Sequence, residues 1–302
     1  MSRREQTAVP EARFTSYYER PIIKPPTWKM PDVPAYLFLG GVAGTSASLA
    51  ALADLTGRPA LTRVGRLGAA LGASLGVGAL IHDLGRPSRF LNMLRVFKPT
   101  SPLSVGSWIL APFGFLASVS AASEVTGVLP AAGRAAGIGA GVLGPAVSTY
   151  TAVLLADTAV PSWHAAYPEL PFLFAGSALT SGGGLGVLTV PPAQAGPARR
   201  TALAGAVMEL AASQRVDQRL GVEGEPYRTG KSAVLLNAGR VLTLAGSAFA
   251  VLGPRSRLAG RLAGGAMLAA GICTRLGVFT AGMASAKDPK YTVVPQRERA
   301  NR

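Results

Sequence analysis

Residues 82–108 read HDLGRPSRFLNMLRVFKPTSPLSVGSW, a basic, proline-punctuated connector between two runs too apolar for a soluble surface. Arg86, Arg89, Arg95 and Lys98 supply four cations, and Pro87, Pro99 and Pro102 interrupt any long helix. Ionised side chains are expensive in hydrocarbon, so the connector is read as lying outside it and its two flanks as lying inside.

Composition points the same way. The chain has 302 residues, of which 49% are hydrophobic and only 15% charged, too little polarity to cover a globular surface of that size. Residues 33–53, 99–123, 135–156 and 170–198 each run without Asp, Glu, Lys or Arg, and a bilayer span needs about 20 such residues. The first 32 residues are charged and lack an apolar core, so no cleaved secretory signal is expected. The single cysteine, Cys273, excludes an internal disulfide and any iron–sulfur cluster held by this chain alone.

The predicted fold is all-α, an integral membrane protein with eight transmembrane helices. The segments are 34–55, 64–84, 104–125, 134–160, 170–190, 198–216, 232–252 and 258–284; the sixth has only a short uncharged core and the count drops if it is interfacial. Residues 1–33 form a basic N-terminal arm with Tyr17, Tyr18 and Trp28, and residues 285–302 a basic tail. Of the 30 Lys and Arg, 19 fall at the end that holds both termini against 9 at the other. The positive-inside tendency therefore places both termini in the cytoplasm and the chain in the plasma membrane. The net charge of +15 does not signal nucleic acid, because the cations gather at segment ends and form no stripe with aromatics between them.

Two motifs are set aside. Gly139, Gly141 and Gly144 spell GxGxxG inside an apolar segment with no strand before it, and GEPYRTGKS at 224–232 resembles a phosphate loop with one residue too many. Only His82 and His164 are available to a haem, and both sit at segment ends, so no haem and no metal site is expected.

The ionisable groups within apolar segments are the candidates for chemistry. Glu209 and Arg240 lie at similar depths in the sixth and seventh segments and are expected to pair, as a lock between helices or as part of a proton path; Arg275 has no evident partner. Tyr150 lies two turns before Asp157, and a phenol there can donate to a quinone carbonyl or belong to an interfacial aromatic belt. Asp32 and Tyr36 open the first segment at the same end, where His82 and Asp83 close the second. A donor beside a water-connected carboxylate or imidazole is what quinone protonation requires.

At these residues the chain resembles the NrfD/PsrC family, the membrane-anchor subunits of polysulfide reductase and related molybdoenzyme complexes. The matching pieces are PAYLFLGGVAG from Pro34, DLGRPSRFLNML from Asp83, FKPTSPLSVGSW from Phe97, YTAVLLADTAVPSW from Tyr150 and RLGVFTAGMASAKDP from Arg275. The resemblance implies two four-helix bundles, residues 34–160 with a quinone pocket and residues 161–284. It also implies a chain with no haem, iron–sulfur cluster or molybdenum of its own, docked to a ferredoxin-like four-cluster iron–sulfur subunit that contacts a molybdopterin catalytic subunit. The quinone, menaquinone or another, would sit at the partner-facing end between the first and fourth helices, near Tyr36, Tyr150 and Asp32. Tyr36 stands where a family member has histidine. Asp83, His82, Asp157 and Glu209 are then the proton-transfer candidates, and Arg86, Arg89, Arg95 and Lys98 the partner-docking ones. The polysulfide-reductase prototype carries its catalytic subunits outside the cell, whereas the charge distribution here puts the matching end in the cytoplasm. Against this reading stand a proton or ion transporter built on Glu209, Arg240 and Arg275, and a purely structural anchor.

Overall fold

The computed structural model describes residues 21–253 and 255–300; Tyr17, Tyr18 and most of the N-terminal arm lie outside them. Among the described residues twelve α-helices follow in order, with a short 3-10 turn at Val222–Gly224: α1 (Asp32–Leu55), α2 (Pro59–Asp83), α3 (Ser88–Asn92), α4 (Pro102–Thr126), α5 (Pro130–Ala156), α6 (Pro161–Ala165), α7 (Leu170–Thr189), α8 (Gly196–Arg219), α9 (Glu225–Arg228), α10 (Gly230–Leu252), α11 (Arg257–Lys287) and α12 (Lys290–Ala300). No strand occurs among the described residues.

Proline and glycine set many of the boundaries. Pro59, Pro102, Pro130 and Pro161 each occupy the first helical positions, where a missing N–H costs nothing, and this starts α2 five residues earlier than the apolar pattern indicates. Gly127 ends α4 with a left-handed φ of 71°, a conformation its missing Cβ makes cheap. At α11 the Ser256 side chain caps the helix by accepting from the Ala259 N–H at 3.2 Å.

Seven helices, α1, α2, α4, α5, α7, α10 and α11, are long and apolar enough to cross a membrane. α8 is not one of them. It matches its neighbours in length, but Arg199, Arg200, Glu209, Arg215, Asp217 and Arg219 leave an uncharged run of only residues 201–208. Nevertheless α8 packs along α7 as an antiparallel hairpin: Gly183 meets Ala198 and Ala202 near one end, and Gly176 meets Gly205 and Glu209 further along.

The packing is the reverse of a soluble protein. Buried faces are largely glycine, alanine and serine, while Leu52, Leu71, Leu75, Phe115, Val142, Val207, Val241 and Leu252 point outward. In lipid the association energy comes from close backbone approach, which small residues permit, and not from burying leucine. Where α1 crosses α5, a Cβ on Gly44 or on Gly144 would lie 2.3 Å from the carbonyl oxygen of the other. α1 packs against α2, α5, α7 and α11, so it is the hub; α4 closes on α2 and α5, and α10 on α11.

The two motifs set aside fall in helical surroundings. Gly139, Gly141 and Gly144 belong to α5, and residues 224–232 cover α9 and the start of α10. The connector also has an apolar side: α3 gives Phe90, and the turn after it Met93 and Leu94, to the lining of a cavity between α2 and α4.

Candidate functional site

One end of the α1, α2, α4 and α5 group gathers most of the predicted residues. Asp32 opens α1, where a carboxylate is favoured by the exposed N–H groups of the first turn. The Nδ1 of His82, in the last turn of α2, lies 2.7 Å from Asp32 Oδ2 and donates to it when protonated there. The Lys29 N–H donates to Asp83 Oδ1 at 2.8 Å, and its ammonium donates to the His82 carbonyl at 3.3 Å. The chain entering α1 is thus strapped to the end of α2. Trp28, just before it, stacks on Trp163 with ring centroids 5.5 Å apart.

One turn further in, Tyr36 and Tyr150 meet edge to face with centroids 6.4 Å apart. Both are buried, at 6% and 8% exposure. Tyr36 lies against Gly76 of α2, and Tyr150 lies so close to α4 that a Cβ on Gly106 would sit 2.3 Å from its ring. The Tyr150 hydroxyl is buried and has no hydrogen-bond partner among the described residues. Such a donor ordinarily finds a partner, so a ligand or water acceptor is implied there.

On the α2–α4 side a cavity of about 330 Å³ opens, walled by Ala73, Ser74 and Val77 of α2 and by Ser107, Leu110 and Phe115 of α4, with Phe90, Met93 and Leu94 as a roof. Tyr36, Tyr150 and Asp32 are not among its walls. Tyr36 and Tyr150 lie on the inner side of the same two helices, against Gly76 and Gly106, which flank wall residues, and Asp32 lies against His82. Above the roof, Arg86, Arg89, Arg95 and Lys98 are all exposed, and none of their side chains has a partner among the described residues. Exposed Leu91, Val96 and Phe97 lie between them.

The remaining proton-transfer candidates are elsewhere. Asp157 is exposed just past the end of α5. Glu209 is buried on α8, where Oε1 accepts from the Thr274 hydroxyl at 2.7 Å. The predicted Glu209–Arg240 pair does not form. Arg240 donates instead to the Ser213 hydroxyl at 2.7 Å and pairs with Asp217, one turn further toward the helix end, where both charges keep contact with solvent. Arg275 finds a partner that sequence left open: it donates to the Phe174 carbonyl at 2.8 Å, and its guanidinium lies 3.7 Å from the centre of the Phe174 ring. Each histidine has its own contact: His82 Nδ1 faces Asp32, and His164 Nδ1 faces the Ala156 carbonyl at 3.1 Å.

Sequence reading missed the cavity, whose signal was the apolar spacing of Phe90, Met93 and Leu94 within a stretch read only for its charge. It also missed two ionic clusters. Arg66 reaches Glu124 at 2.8 Å and Asp54 at 3.7 Å, with Arg134 on the same Asp54, at the opposite end of the group. Arg219 grips Glu169 with both Nε and Nη2, tying the ends of α7 and α8. Beside that grip burial pushes the Tyr227 phenol up, so it stays protonated and donates to the Ser162 carbonyl at 3.0 Å.

The family model described as polysulphide reductase, NrfD, matches residues 23–202. The chain belongs to the NrfD family. That match covers more than half of the sequence and takes in the arm at Trp28, the strap, both tyrosines, the cavity and the cationic loop. The piece from Arg275 that resembles the family lies beyond it. A comparison with curated proteins finds no match. Family and helices together make the chain a multi-pass membrane subunit of the polysulphide-reductase type.

Proposed function

We propose that this subunit anchors an oxidoreductase complex in the membrane and binds a quinone in the α2–α4 cavity, passing electrons between that quinone and a partner iron–sulfur subunit. The carrying observation is the coincidence at one end of four things: a cavity of about 330 Å³, a buried phenol with no acceptor, a carboxylate–imidazole pair, and an exposed cationic loop. A cavity near 300 Å³ suits a ring-sized headgroup. Its walls are mostly apolar and belong to helices whose outer faces meet lipid, so an isoprenoid tail has a way out. Menaquinone is the quinone named first on the family resemblance.

Bound quinone would supply two-electron, two-proton chemistry. In this reading the chain carries no redox centre of its own, and its residues position and protonate. Tyr150, behind the α4 wall at Gly106, would offer its hydroxyl to a headgroup that reaches past the cavity walls toward α5, and Tyr36 flanks that ring. Asp32 and His82, in contact with the aqueous end, hold and exchange a proton, with Asp83 keeping the strap in place. Phe90, Met93 and Leu94 keep water off the headgroup.

Arg86, Arg89, Arg95 and Lys98 fit an acidic docking partner, taken to be a ferredoxin-like four-cluster subunit that in turn carries a molybdopterin catalytic subunit. In this reading α8 is the eighth span, residues 34–160 and 161–284 are the two four-helix bundles, and the loop end faces the cytoplasm at the plasma membrane. The test is turnover and quinone affinity of the whole complex carrying Tyr150→Phe. Loss of affinity with the fold retained supports the assignment; unchanged turnover and affinity remove Tyr150 from it.

A further inference from the structure

Between α7, α8, α10 and α11 lies a second buried polar site, independent of the quinone assignment. Glu209 is 3% exposed and Arg275 1% exposed, yet Glu209 Oε2 and the Nε and Nη1 of Arg275 have no hydrogen-bond partner among the described residues. No direct ion pair joins them. The hydroxyls of Ser177 on α7 and of Thr243 on α10 are likewise buried and unpartnered. So many dry polar atoms in one place would cost several kcal/mol, and ordered water ordinarily satisfies such groups.

The structure has room for it. A cavity of about 10 Å³ is lined by Glu209, Ser213, Arg240, Thr243 and Thr274 among others. That is close to the smallest space that holds one water, and the lining offers the two to four polar partners a water needs. Toward the helix ends the Ser213 oxygen accepts from Arg240 Nε at 2.9 Å and Nη2 at 2.7 Å, which leaves its O–H free to donate. Arg240 then reaches Asp217, and their side chains are 32% and 27% exposed. Beside Glu209, next to Thr274 on α11, stands Arg275, held on the Phe174 carbonyl and ring.

We infer that Glu209 is a proton-binding site, reached from the Asp217 end through a buried water and the Ser213 hydroxyl, with the fixed charge of Arg275 beside it. Glu209 Oε2 gains a proton from that water, which is restored from the aqueous end; the reverse returns it, and no electron moves. The charged groups facing the site are Asp217 from α8 itself, Arg240 from α10 and Arg275 from α11; α7 faces it with the hydroxyls of Ser177 and Thr180. A proton arriving at Glu209 neutralises it beside the fixed cation of Arg275, and the polar groups named here lead back only to the Asp217 end, so the site stores a proton and returns it to that end. This departs from the transporter reading.

The test is infrared difference spectroscopy of the purified complex after a pH jump, in H₂O and D₂O and without added quinone. A protonated-carboxyl C=O band that shifts in D₂O and disappears in Glu209→Gln is expected. Ser213→Ala should keep the band and slow its deuterium exchange about tenfold or more, the rate cost of ~1.4 kcal/mol of barrier. Absence of the band, its survival in Glu209→Gln, or unaltered exchange in Ser213→Ala overturns the inference. If Glu209→Gln does not fold, Ser213→Ala decides alone. Because no quinone is present, failure here leaves the proposed function untouched.

Discussion

Gly114 of α4 lines the α2–α4 cavity, and a Cβ built on it meets no atom within 4 Å. Gly114→Trp therefore places a large ring in the cavity without moving backbone. The effect follows from area. A flat ring system buries about 150–250 Å², which at ~25 cal/mol per Å² is ~4–6 kcal/mol of gross contact. If the indole displaces half of that contact, the quinone loses ~2–3 kcal/mol, or about 30- to 140-fold in affinity. Stability should stay within about 1 kcal/mol of the parent, because glycine inside a helix is already the poorer residue. Titration of a quinone analogue against the purified complex, alongside thermal unfolding, measures both. A folded variant with parental quinone affinity refutes the placement of the headgroup between α2 and α4.

Further outcomes follow from the same geometry. Tyr150→Phe removes a buried hydroxyl that has no partner among the described residues, so stability should hold or rise slightly by thermal unfolding, in contrast to a bonded tyrosine. Tyr227→Phe is that contrast: it deletes a donor to the Ser162 carbonyl and should cost about 1 kcal/mol without altering quinone affinity. Reversing Arg86, Arg89, Arg95 and Lys98 to Glu should weaken partner binding at least about tenfold at low ionic strength and less in high salt, measured by co-elution or surface binding, because exposed charges are screened beyond about 8 Å at physiological salt.

The helical, lipid-bound character of the chain was legible because uncharged runs of spanning length leave few alternatives; boundaries were off by up to five residues, most at Pro59, where proline overrides the apolar pattern, and α5 ends at Ala156, four residues short of the expected end. α8 was the hard segment: its charges contradict a span, while its length and its seam with α7 agree with one. Pairings between helices were not legible. Glu209 and Arg240 share a depth in sequence, but depth says nothing about rotation about the axis, and Arg240 turns to Asp217 instead. The Tyr36–Tyr150 and Asp32–His82 meetings were expected as a neighbourhood because each residue sits at the same end. The cavity beside them was not, since a void between α2 and α4 is set by how far two helices splay and not by any residue type.

The most direct measurement is photolabelling of the complex with an azidoquinone, followed by peptide mapping of this subunit. The account predicts adducts on 90–94 and 107–115, lost when excess quinone competes. Adducts confined to other helices, or labelling that quinone does not compete away, would contradict it.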